Sequence, residues 1–438
     1  MKIKRLIAVV LAALFCFTLS GCDVLQTDFS GLIAAPKLEG DMYPVQQALE
    51  AWAGEDITLK YPVSGDYRSA FIMTDVNSDG FTEAVAFYSV TADSAVTMHI
   101  NIIANRGDEW KSMGDLSLVA NDVESVSFSD LDGDGSKEII VGWMVYGSID
   151  KQVGVYSFTK DTLTQRVLEK YTNFTCADLN SDDMPDLTVV YLNSTDKVAS
   201  AKVISFKDDG IAEIGSVGLD GNVSSYSTPV VAPLKNGAAA LYIDAVKGSG
   251  MITEIIWFED TLLKSLISPT TMENTVTYRL SAVSSRDFSG DGVIDIPLLE
   301  LLPSTAESDE ADKVYITNWC DFDGNKMEVC ASTFMNYSDG YCLTIPDSWK
   351  NSIHLTRKTE SRLRVFYHYD INTGTYGEEM FRIIAVASAD KDKRDEYTEE
   401  GYTLLLDGES LTYLAKVNEP NSINLDINTL ESIFRIIK

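Results

Sequence analysis

The chain has 438 residues, 45% of them hydrophobic and 10% aromatic. That is enough apolar material for two or three packed domains, on a prior of roughly 100–200 residues each. Its 66 acids against 35 bases leave a formal charge of −31, which excludes the basic footprint that nucleic-acid binding requires.

The first elements belong to targeting rather than to the fold. Lys2, Lys4 and Arg5 precede an apolar run from Leu6 to Leu19 that is too short to span a bilayer. The run ends in Leu19-Ser20-Gly21-Cys22, which resembles the bacterial lipobox. The resemblance implies that residues 1–21 are a signal peptide, that Cys22 is lipidated, and that the chain is held on the extracytoplasmic side of the cell membrane. Residues 22–56 read as a tether followed by one short helix over PVQQALEAWA (44–53), with Pro44 in its first turn.

From residue 57 the chain is β-rich, and a nine-residue pattern recurs four times, each copy leading into an apolar strand. The copies start at Asp75, Asp130, Asp178 and Asp287. Position 3 is Asn77, Asp132, Asn180 and Ser289; position 5 is Asp79, Asp134, Asp182 and Asp291; position 9 is Glu83, Glu138, Asp186 and Asp295. Position 7, which offers a backbone carbonyl, is Phe81, Ser136, Met184 and Val293. Glycine at position 6 (Gly80, Gly135, Gly292) permits the positive φ of a sharp turn, and Asp183 stands there in the third copy. Oxygen ligands at this spacing suit a hard cation, so calcium is expected in up to four loops. A helical calcium loop carries an acid at position 12 between helices. Position 12 here is Ala86, Val141, Val189 and Leu298, between strand patterns.

The copies recur at about 50 residues, with one double gap, the period of a four-stranded repeat unit. A degraded fifth unit fills the gap at PVVAPLKNGAAALYIDA, where Pro233 and Lys235 replace acids. The second unit shows the four strands as VESVSF, EIIVGWMVY, QVGVYSF and LTQRVLE; MHINIIA, AKVISF and EIIWFED are their counterparts elsewhere. One small twisted sheet cannot bury both faces alone, so the reading is mainly β: a β-propeller of about five four-stranded blades over 57–333. The strand at DITLKYP is expected to close the ring on the last blade. These loops and strands resemble FG-GAP/VCBS repeats, and the resemblance implies that each calcium loop joins a blade's first two strands.

After residue 333 the loops stop. Strand patterns and a helical spacing at Leu430, Ile433, Phe434 and Ile437 indicate a small α+β domain over 334–438, an antiparallel sheet with a C-terminal helix. Its start, GYCLTIPDSWKN, weakly resembles PsbP-like domains of bacterial lipoproteins. Cys176, Cys320, Cys330 and Cys342 lack zinc spacing, which leaves one disulfide or free thiols.

No catalytic motif stands out. His99 reads as a strand residue, and His354 and His368 as sheet-surface residues of the tail domain. Trp110, Trp143, Trp257, Trp319 and Tyr146 suit blade cores, with a sugar-binding surface as the alternative. The expected role is a non-catalytic binding or adhesion module for a protein or glycan. The alternatives are an envelope-assembly or sensing subunit, or an extracellular polymer-degrading enzyme.

Overall fold

The computed structural model describes residues 42–90, 97–145, 151–207, 210–358 and 362–437. The expected signal peptide, Cys22, most of the expected tether and Tyr146 lie outside these residues. The fold is mainly β, built from six antiparallel sheets of four or five strands.

In the first sheet, Ile57–Lys60 and Phe71–Thr74 share one edge of Glu83–Val90, followed by Thr97–Asn105 and Trp110–Val119. The second runs Asp122–Ser129, Glu138–Met144, Lys151–Thr159 and Thr162–Tyr171; the third runs Asn173–Ala177, Asp186–Asn193, Val198–Ser205 and Ala212–Leu219. The fourth, the degraded unit, sets Ser225–Tyr226 and Val230–Pro233 against Ala239–Lys247, then Gly250–Glu259 and Leu262–Ser265. The fifth is Ile296–Leu301, Tyr315–Phe322, Met327–Asn336, Tyr341–Thr344 and Phe434–Ile436; the sixth is Ile353–Lys358, Leu363–Asp370, Thr375–Ala387, Leu411–Val417 and Thr403–Asp407.

Packing follows from the two-residue period of the strands. In Glu138–Met144, Ile139, Val141 and Trp143 face the first sheet, while Ile140 faces the third. Because neighbours cover both faces, the strand reads as an unbroken apolar run. Apolar clusters join the third sheet to the fourth, the fourth to the fifth and the fifth to the sixth in the same way. Trp143 fills the first of these interfaces, edge-on to Phe87 at 5.7 Å, with its Nε1 donating to Tyr156 Oη at 3.0 Å.

The outer face of the first sheet is covered by the helix Tyr43–Ala53, whose Val45, Ala48 and Leu49 meet Phe71, Ala84 and Ala86. The outer face of the sixth sheet packs Ile384, Val386 and Leu414 on Tyr402, with Tyr397 of the helix Lys391–Glu399 alongside. Among the described residues no apolar cluster joins the first sheet to the last.

Three expectations are corrected. Ile57–Lys60 pairs with Phe87–Val90 of its own sheet, so it does not close a ring on the last blade. The boundary expected at 333 falls inside the strand Met327–Asn336, and Tyr341–Thr344 extends the same sheet. The C-terminal helix stops at Ile433, because Phe434–Ile436 turns extended and pairs with Tyr341–Leu343.

Candidate metal centres

All four acidic loops fold alike, because each is held by hydrogen bonds within its own nine residues. The position-6 backbone N–H donates to the position-1 carboxylate: Gly80 to Asp75 at 3.0 Å, Gly135 to Asp130 at 3.1 Å, Asp183 to Asp178 at 2.9 Å, and Gly292 to Asp287 at 3.0 Å. The position-7 N–H donates to position 5: Phe81 to Asp79, Ser136 to Asp134, Met184 to Asp182, and Val293 to Asp291. The position-9 carboxylate accepts from the position-2 N–H in three of them: Glu83 from Val76, Glu138 from Leu131, and Asp295 from Phe288. These bonds turn the acids of each loop inward.

Position 6 has positive φ throughout, with Asp183 at 67° doing what glycine does elsewhere. Position 4 does so too (Ser78, Gly133, Ser181, Gly290), a second left-handed turn signalled only by the alternation of Ser and Gly. The loops of the first three sheets form a row. Lys137 N donates to Val76 O at 2.7 Å, Ser78 Oγ donates to Gly135 O, and Met184 crowds Gly133.

The donor set fits a hard cation. Asp75 Oδ1, Glu83 Oε1 and Asp186 Oδ2 are buried without a hydrogen-bond partner. One oxygen from each of Asp130, Asp132 and Glu138 lies within 4.8 Å of the others. Burial and then the neighbouring Asp182 push Asp186 up to about 6. Burial also raises Glu83 and Glu138, against the lowering effect of the N–H groups they accept from, and loop acids repel both. Such strain is what a divalent ion relieves.

One basic side chain reaches each of these three loops. Arg106 approaches Asp79 at 3.9 Å, Arg166 holds Asp132 at 3.2 Å, and Lys207 holds Asp182 at 3.3 Å.

The fourth loop differs. Asp287 spends both oxygens on backbone N–H groups, as Asp130 and Asp178 do; what sets this loop apart is Asp295, whose Oδ2 accepts from Phe288 and Ser289 and whose Oδ1 faces Cys330 Sγ at 2.8 Å. Ser289 enters through its N–H, and Val293 is buried beside the loop. In the degraded unit Lys235 takes over, its ammonium 2.9 Å from Asp321 and 3.2 Å from Glu328 of the fifth sheet.

The remaining candidates among the described residues lie on strands. His99 stacks on Tyr88 and meets Asp115 at 2.8 Å. His354 is buried and stacked on Tyr376, and burial lowers its pKa; it is not on the sheet surface. His368 lies opposite Ile353 in the sixth sheet. Trp143, Trp257 and Trp319 are core residues. Trp110 instead lines a cleft of about 880 Å³ beside the first loop, with Phe81, Asn105, Arg106, Lys160 and Asp161. Cys176, Cys320, Cys330 and Cys342 are all free thiols.

No family model matches the chain, and no curated protein matches it. Among solved structures it is similar to a rhamnogalacturonan lyase, YesW (TM-score 0.30, 11% identity, 82% of this chain and 74% of that one). A Bacillus licheniformis rhamnogalacturonan lyase gives TM-score 0.30 and 13% identity over the same shares. The Pseudomonas aeruginosa periplasmic gluconolactonase gives TM-score 0.24 and 11% identity, with 75% of this chain and 89% of that one covered. Likenesses this distant carry nothing about activity.

Proposed function

We propose that the chain is a lipid-anchored, extracytoplasmic binding protein whose calcium-braced blades hold a non-catalytic site for a glycan. The observation that carries the ligand class is the cleft beside the first loop. Phe81 at its mouth is 67% exposed and presents an aromatic face to the cleft. Trp110 supplies a second aromatic face, and Asn105, Lys160 and Asp161 supply the polar rim that orients a hydroxyl-rich ligand. The loop folds Phe81 into place through its N–H bond to Asp79, so an ion bound by the loop would steady the cleft.

The support for calcium is the set of buried, unpaired carboxylate oxygens in the first and third loops. Sites of this extracellular type fill at about 0.1–1 mM, concentrations met outside cells. Lipid anchoring rests on the Leu19-Ser20-Gly21-Cys22 motif.

The test is a glycan array and polysaccharide pull-down with the parent chain, Phe81→Ala and Lys160→Ala, in calcium. Retention of a glycan that Phe81→Ala abolishes, at an unchanged melting temperature, supports the reading. No retained glycan, or equal retention by both variants, overturns it. Palmitate labelling that Cys22→Ala fails to abolish would overturn the anchor.

A further inference from the structure

Each sheet that carries an acidic loop has a β-bulge at one and the same register position. The residue opposite position 9, on the next strand, follows from the pairing: Ala104 opposite Glu83, Ser157 opposite Glu138, Ser205 opposite Asp186, and Asp321 opposite Asp295. One to two residues before it the register slips, leaving an extra residue on the outer strand: Met113, Arg166, Ile214 and Cys330. The degraded fourth sheet has neither the acidic loop nor the slip in its described pairing. A bulge re-aims one side chain, and here the target is the base of the loop. Arg166 reaches Asp132 and Ser157, and Cys330 reaches Asp295.

In the first three sheets these two positions hold an alanine or a serine together with a methionine, an arginine or an isoleucine. The fifth sheet alone places a carboxylate and a thiol there. We propose that Asp295, Asp321 and Cys330 form a binding site for a thiophilic divalent cation of the zinc class. One ligand atom from each lies within 4.8 Å of the other two. Tetrahedral zinc with one sulfur and two oxygens sets S···O near ~3.5 Å, inside that span.

A second observation points the same way. Asp321 is 2% exposed; Lys235 holds its Oδ2, while its Oδ1 is buried with no hydrogen-bond partner. Lys235 offsets the charge of Asp321 alone, and the neighbouring Asp295, fully buried, still calls for a cation or a proton. Cys330 is solvent-exposed, which gives an ion a way in and leaves a coordination position open. On binding, the Cys330 S–H proton passes to solvent and a sulfur–metal bond replaces the S–H···O contact to Asp295. The site does not depend on calcium in the other loops.

The test uses the full chain, stripped with chelator, returned to calcium and titrated with Co²⁺. The expected result is a near-ultraviolet sulfur-to-cobalt charge-transfer band that saturates at one equivalent and is displaced by Zn²⁺. Cys330→Ser should abolish the band with unchanged circular dichroism, and Asp321→Asn should weaken cobalt binding by at least about tenfold. No band in the parent chain, or an undiminished band in Cys330→Ser, overturns the proposal. Alkylation of Cys330 in the parent chain, read by peptide mass, should slow on adding Zn²⁺. Equal rates with and without zinc overturn it independently of any variant.

Discussion

Removing calcium should loosen the first three sheets and spare the fourth. In the ion-free loops, Asp75 Oδ1, Glu83 Oε1 and Asp186 Oδ2 stay buried without partners, each at a cost of about 1–3 kcal/mol. Linkage sets what an ion returns. At about 1 mM calcium and a dissociation constant of about 0.1 mM, each loop gains about 1.4 kcal/mol, or about 4 kcal/mol for three loops. That is a large share of the roughly 5–15 kcal/mol that keeps a domain folded. The assay is a thermal melt in calcium and in EDTA, with hydrogen exchange followed hairpin by hairpin. Protection should fall across 71–90, 122–144 and 173–193, while the hairpin at 230–247, which Lys235 ties to Asp321 and Glu328, should change little. Asp130→Asn should remove the share of the second loop alone. Identical melts in calcium and chelator, or an equal loss of protection in all four hairpins, would refute the reasoning.

Three further outcomes follow from packing and titration. Trp143→Ala empties the interface of the first two sheets and leaves Tyr156 Oη without its donor, so a loss of about 3–5 kcal/mol is expected by denaturant unfolding. A Cβ on Gly221 would lie 2.0 Å from Lys197 O, a backbone atom that cannot rotate away; Gly221→Ala should cost about 1–3 kcal/mol and lower the melting temperature. Burial pushes Glu254 up to about 7, against the lowering effect of its bonds from Asp220 N and Asn274 Nδ2. Below pH 4.5 both native and unfolded chains hold this proton. Between 4.5 and 7 only the native chain does, so stability falls with rising pH by about 1.4 kcal/mol per unit, about 3 kcal/mol in all, and is flat above. Glu254→Gln should lack that slope, so the difference between the two stability curves should carry it; parallel curves would show that Glu254 does not cause it.

The loops were legible because their folding is local. Position 1 captures the N–H of position 6 and position 5 that of position 7, so spacing alone announces the turn. The strands of the second unit were legible for a related reason. Glu138–Met144 is a near-continuous apolar run, and Asp122–Ser129 and Thr162–Tyr171 space their apolar residues among polar ones, each bounded by turn residues. The strand Ile57–Lys60 was misplaced because an edge strand carries no mark of its partner. Its pairing with Phe87–Val90 depends on which edge is free, and Phe71–Thr74 covers only the first half of Glu83–Val90. Phe434–Ile436 hid inside a helical spacing because the free edge of Tyr341–Thr344 outweighs three residues of helix propensity.

Sequence by itself determined the acidic loops, their period and the mainly β class, since these rest on hydrogen bonds and alternation within a few consecutive residues. Tertiary structure decided which residues stand around each loop. Asp321 meets Asp295 only through strand pairing, and Cys330 joins them only because its strand slips by one residue against the next. Register of that kind is set by long-range ladder bonds and core packing, and a one-residue slip turns a side chain from solvent toward the loop.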